Sequence, residues 1–144
     1  IPEIVRDGTT VRVIAGKLAE EEGLAQTKIG ALYLDIHLTR ASDFVAPIPD
    51  GWNGFLYVYE GSVTVGDDTT VIVGHLAVLG TEGEVRLAGG SGGGRTLLLA
   101  GEPLNEPIAR GGPFVMNTRG EVMQAFADYQ SGKFDRPRDG ISRQ

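Results

Sequence analysis

Apolar and polar residues alternate along most of this chain, and the alternation has a period of two. Val11, Val13 and Ala15 share one parity; Leu32, Leu34, Ile36 and Leu38 share another, with Tyr33, Asp35 and His37 on the opposite face. Period-two alternation places one face of a strand against a core and the other outward. The same pattern predicts strands at Phe55 to Glu60, Ser62 to Val65, Thr70 to Val73, His75 to Leu79, Glu84 to Leu87 and Thr96 to Ala100. Turn residues separate them, among them Pro47 to Gly51, Gly61, Gly66 to Asp68 and the run Gly89 to Gly94. Short strands punctuated at such intervals predict an all-β sandwich or barrel.

One segment changes period. Thr118 and Glu121 have the spacing of a capping box, and Val122, Phe126 and Tyr129 then recur at helical intervals. Gly132 supplies a stop. A helix this short with a single apolar stripe needs a surface to dock on, and Gly120 in its first turn weakens it by about 1 kcal/mol relative to Ala. The expected organisation is a β-barrel over 1–116, a helix over 117–133 packed on the barrel or on a partner, and a flexible tail over 134–144.

Composition narrows the chemistry. The 144 residues suit one domain with its own core. The absence of cysteine excludes disulfides, thiolate nucleophiles and Cys-based zinc sites. A formal charge of −6 argues against a nucleic-acid surface. Lys133, Arg136, Arg138 and Arg143 gather near the end, but Asp135 and Asp139 interleave with them, as in a solvated tail. No apolar run has the length of a membrane span, and no signal-peptide pattern precedes the first strand. The chain opens Ile-Pro-Glu without Met, so it is expected to begin within a longer protein, of cytoplasmic origin.

The glycine-rich run Gly89 to Gly94 precedes a strand rather than a helix and lacks a following Lys-Ser/Thr, so it is expected to be a hairpin tip and not a phosphate loop. The two histidines, His37 and His75, are expected on a polar strand face and at a strand edge. They are too few for a catalytic metal site without further ligands. Glu102 and Glu106 are separated by Pro103, with Pro107 following, so they share no helical face; a rigid crossing between strand and helix is the expected role. Phe55, Tyr57 and Tyr59 form an aromatic parity opposite Leu56 and Val58. Such a stripe packs under a neighbouring element or marks an interface. Trp52 precedes it in a loop and is expected at the barrel mouth, where it could meet a small molecule with Asp50 and Glu106.

The segment GEPLNEPIARGGPFVMNT (Gly101 to Thr118), followed by EVMQAFADYQSGKF (Glu121 to Phe134), resembles the carboxy-terminal signature of the pirin family, within the cupin superfamily. IPEIVRDGTTVRVIAG, GWNGFLYVYEGSVTVG and GHLAVLG extend the likeness in cupin-like terms. The resemblance implies a cupin-type jelly-roll β-barrel with one C-terminal α-helix, the second barrel of a two-barrel protein. It also implies an iron-type metal held by the amino-terminal barrel, and a quercetin 2,3-dioxygenase-like activity or a transcriptional co-regulator role. With Gly61 standing as the closing glycine of the first cupin motif, its glutamate position falls on Gly54. Its histidine positions fall on Pro47 and Pro49, or on Ile48 and Asp50. In the second motif Gly66 and Gly74 fall in register, Ile72 replaces the proline, and Ala77 stands at the metal histidine with His75 two residues early.

The resemblance therefore implies no catalytic residue, metal ligand or cofactor in this domain. Its expected partner is a metal-bearing pirin-type barrel. The alternatives are a free-standing small-molecule-binding cupin or a module that self-associates through its sheet face. Trp52, Phe55, Tyr57, Tyr59 and Glu106 are the candidate ligand or interface residues.

Overall fold

The computed structural model describes residues 1–81 and 83–135. They form two compact units, Ile1–Pro103 and the segment from Leu104 onward. The expected flexible tail lies, beyond residue 135, outside the described residues.

The first unit contains ten strands: β1 (Glu3–Arg6), β2 (Thr9–Ala15), β3 (Lys17–Leu18), β4 (Glu21–Glu22), β5 (Ala31–Leu38), β6 (Asp43–Pro47), β7 (Asn53–Val65), β8 (Thr69–Ile72), β9 (Leu76–Val78) and β10 (Glu84–Gly101). Eight of them make one antiparallel sheet, and β3 pairs separately with β4. Two long strands organise that sheet. The carboxy-terminal part of β10 lies between β5 and the start of β7, from Gly101 opposite Ala31 and Asn53 back to Gly94 opposite Leu38 and Gly61. Its amino-terminal part lies between β6 and the end of β7, with Leu87 opposite Phe44 and Val65. The first half-sheet is completed by β1, β2 and β9, and the second by β8. The sheet folds over on itself, as a cupin jelly roll does, and the inward faces of both halves supply one core.

The corner is made of glycine. The pairing of β10 with β7 shifts between Gly89 and Gly94, so the run GGSGGG is a bend inside a continuous strand rather than the expected hairpin tip. Backbone crowds these positions. A Cβ on Gly89 would strike the Thr39 carbonyl oxygen, one on Gly94 the Ser62 carbonyl oxygen, and one on Gly61 the Gly93 carbonyl oxygen. Gly61 also has φ +66°, a conformation that glycine adopts without steric cost. The corner reverses parity: β10 buries Val85 and Leu87 before the bend but Thr96, Leu98 and Ala100 after it. In β7 the inward set changes likewise, from Leu56 and Val58 to Val63. That switch is why each long strand resembles two short ones in the sequence.

The second unit contains the hairpin β11 (Ala109–Gly111) and β12 (Phe114–Met116), then α1 (Arg119–Gln130) and a 3-10 turn at Lys133–Asp135. The expected capping box is present: the Glu121 N–H donates to Thr118 Oγ1 at 3.2 Å, and Thr118 N–H donates to Glu121 Oε2 at 2.8 Å. Gly132 follows the helix at φ +69°. The helix packs on the β11–β12 hairpin that immediately precedes it. Phe114 of the hairpin meets Phe126 edge-on at 5.0 Å and Tyr129 at 6.3 Å. Phe134, at the head of the segment expected to be a tail, stacks on Phe114 at 6.0 Å. Of the expected stripe, Val122 is buried while Tyr129 is largely exposed and contributes through its ring edge.

The corner yields a direct contrast. Gly61→Ala forces a side chain into backbone at positive φ and is expected to cost about 2 kcal/mol or more. Gly92→Ala, facing open space, should stay within about 0.5 kcal/mol of the parent. Urea midpoints of the two variants measure this; equal, small losses would mean that the corner does not need its glycines.

Candidate functional site

The alternation that buries Leu56, Val58 and Leu98 turns the aromatic stripe outward. Phe55 and Tyr57 are 37% and 39% exposed on the outer face of the first half-sheet, opposite Val78 and Leu76 of β9, which are more exposed still. On their other side are Leu99 and Leu97 of β10, half-buried. These residues form a continuous apolar strip across three strands.

Tyr59 ends the strip and begins a polar cluster. It is the extra residue where the β7–β10 pairing slips between Arg95 and Thr96. The slip frees the Tyr57 carbonyl, which accepts a hydrogen bond from the buried Thr96 hydroxyl at 3.0 Å. Tyr59 Oη donates to Asp35 Oδ1 at 2.6 Å. Arg12 lies 3.7 Å from the other Asp35 oxygen and donates from Nε to Glu3 at 2.9 Å. Arg95 Nε faces Glu60 at 3.6 Å, outside hydrogen-bond range. Thr10 and His37 complete the lining of a small depression of about 60 Å³. Burial, then the bond to Asp35 and its negative charge, push the Tyr59 phenol up to about 12. With both signs of charge matched, the cluster is a fixed polar patch, not an anion trap. Its ion pairs are exposed and screened by solvent, so they add little to stability.

The interior offers a metal little. Among the described residues, the buried polar side chains are Thr9, Ser42 and Thr96, and the last two donate to backbone carbonyls. In the register that the resemblance implies, the cupin ligand positions hold Gly54, Ala77 and either Pro47 and Pro49 or Ile48 and Asp50. A side chain at Gly54 would meet the Leu99 carbonyl, Ala100 and Leu79. His37 faces outward among the polar cluster, and exposed His75 contacts the Val73 carbonyl through Nδ1 at 3.2 Å. No three His, Cys, Asp or Glu side chains among the described residues are grouped so as to hold a metal ion. This donor set does not fit the metal of the cupin superfamily, which needs several nitrogen and carboxylate ligands together.

Trp52 lines a cavity of about 330 Å³ at one end of the first unit. Asp50 is close to it in sequence, exposed and set against the backbone of Gly83. Glu106 belongs to the second unit, where Asn117 Nδ2 donates both to its carboxylate and to the Pro107 carbonyl, each at 2.9 Å. Those bonds pin the proline-rich loop to the end of β12. Asn117 sits inside the signature segment, yet nothing in its spacing points to Glu106. Asp35 and Arg12 were likewise invisible as a pair, because strand register alone makes them neighbours.

Ionisation of Tyr59 tests the polar cluster. Its pKa is raised above the usual tyrosine value, so its contribution to stability is complete below about pH 10 and lost as pH rises towards about 12. Ultraviolet titration should show one of the four tyrosines ionising late. Asp35→Ala should move that tyrosine down without returning it to the ordinary value, since burial is the larger cause. Four tyrosines titrating together near the usual value would contradict the geometry.

Comparison with known proteins places this architecture. A family model described as the pirin C-terminal cupin domain matches residues 33–135. A pirin-like protein of Solanum lycopersicum is 41% identical over 99% of this chain and 51% of its own length. Pirin of Homo sapiens is 38% identical over 92% of this chain and 47% of its own. A solved quercetin 2,3-dioxygenase of Acinetobacter baumannii superposes with a TM-score of 0.84 at 38% identity, over 92% of this chain and 47% of that one. The chain thus spans about half the length of the relatives it matches, and no described helix is long and apolar enough to cross a membrane. Its strands, its corner and its signature segment belong together: the chain is a member of the pirin family and comprises that family's C-terminal cupin domain.

Proposed function

We propose that this domain serves as the metal-free half of a two-barrel pirin, supporting and covering a metal-bearing amino-terminal barrel where quercetin 2,3-dioxygenase-like chemistry takes place. The observation that carries this reading is the donor inventory: among the described residues no three His, Cys, Asp or Glu side chains are grouped to hold a metal ion, and Gly54 and Ala77 stand at two of the implied cupin ligand positions. The similarity to a quercetin 2,3-dioxygenase about twice as long supports a division of labour between two barrels. The outward strip of Phe55, Tyr57, Leu76 and Val78 suits the supporting role, since apolar area exposed on a sheet face favours association. No step of an oxygenation is assigned to residues of this chain.

Flavonol turnover tests the proposal. The purified chain, supplied with ferrous ion, oxygen and quercetin, should consume the flavonol at the rate of buffer with ferrous ion alone. The Acinetobacter baumannii quercetin 2,3-dioxygenase run alongside is the positive control. Metal-dependent turnover by the 144-residue chain itself would overturn the reading.

A further inference from the structure

The cavity beside Trp52 has a shape and a charge that the supporting role does not use. It is bounded by Lys17 after β2, Ile29, Leu32 at the start of β5, Pro47 and Pro49 around the end of β6, and Trp52. Its volume of about 330 Å³ is at the small end of ligand pockets, which span roughly 300 to 1,000 Å³. Two prolines, two aliphatic side chains and an indole present flat hydrocarbon and π surface. Lys17 is the single charged residue in the lining; it is exposed, and Glu22 stands opposite it in the β3–β4 pairing.

The indole is held in advance. Trp52 packs against the core cluster, its backbone N–H donates to the Pro49 carbonyl at 3.1 Å, and its six-membered ring lies so close to Gly30 that any side chain there would collide with it. A wall fixed before binding loses little conformational freedom on binding. Thr27, also in the lining, donates its hydroxyl to the Ile29 carbonyl at 2.7 Å, which ties down the segment opposite.

We infer that this cavity binds a small planar aromatic monocarboxylate, its ring against Trp52 and the two prolines and its carboxylate on Lys17. A single lysine satisfies one negative charge. It offers no paired arginine fork or helix N-terminus for a phosphate dianion, and the chain's net charge of −6 further disfavours polyanions. The site needs neither a metal nor a second barrel, so it stands whether or not the supporting role does.

Benzoate is the test probe, with benzyl alcohol as the neutral control and cyclohexanecarboxylate as the non-planar one. Titration through the millimolar range should change the emission of Trp52, the only tryptophan, saturably, and move the amide resonances of Lys17 and Leu32. Both controls should bind more weakly. Lys17→Gln, a change at an exposed position, should weaken benzoate about tenfold, the loss of one charge-assisted hydrogen bond. Trp52→Phe should silence the emission while leaving the amide shifts. The inference is overturned if neither signal saturates, if Lys17→Gln binds benzoate as the parent does, or if the resonances that move lie away from the cavity.

Discussion

Everything in the first unit depends on two strands being allowed to pass through one another's space at a corner. β7 and β10 each run through both half-sheets, and where they bend their backbones approach until no Cβ fits between Gly61 and Gly93 or between Gly94 and Ser62. Without that approach, Val63, Val85 and Leu87 could not enter the same core as Leu56, Val58 and Leu98. A Cβ would separate the halves and open a cavity in a core that is otherwise closed, and such voids are costly. The glycines are thus a packing requirement rather than a mark of looseness.

The same geometry decides what the domain can do chemically. Folding the sheet over fills the inward positions mostly with apolar side chains; of the buried hydroxyls, Ser42 and Thr96 donate to backbone carbonyls, and Thr9 has no hydrogen-bond partner among the described residues. Polar and aromatic side chains are displaced to the outer face, where Tyr59, Asp35 and Arg12 hold one another and Phe55 and Tyr57 remain uncovered within their unit. Here no three metal-donor side chains among the described residues are grouped together, and a cavity with Trp52 in its wall and Lys17 in its lining lies at one end of the unit.

Much of this was legible from residue order. The parity of Leu32 to Leu38 and of Phe55 to Tyr59 correctly assigned inside and outside, because a half-buried strand has only two faces. The helix start was equally readable, since a capping box is local chemistry between Thr118 and Glu121. The glycine run misled, because a hairpin tip and a strand corner have the same composition and differ only in what lies across from them. Tyr59–Asp35 and Arg12–Asp35 could not be read at all: their contacts come from the register of β2, β5, β7 and β10, which no local pattern encodes. The hairpin under the helix escaped for a related reason. Ala109–Gly111 and Phe114–Met116 are too short to show a period, though they supply Phe114, the ring on which Phe126, Tyr129 and Phe134 converge.

We propose that packing has replaced metal coordination in this interior, and metal content tests that most directly. Elemental analysis of the purified chain, after incubation with ferrous ion and desalting, should find iron far below one equivalent, with an unchanged urea midpoint. Stoichiometric iron that survives desalting and raises the midpoint would contradict the claim, because binding to the folded state alone must stabilise it.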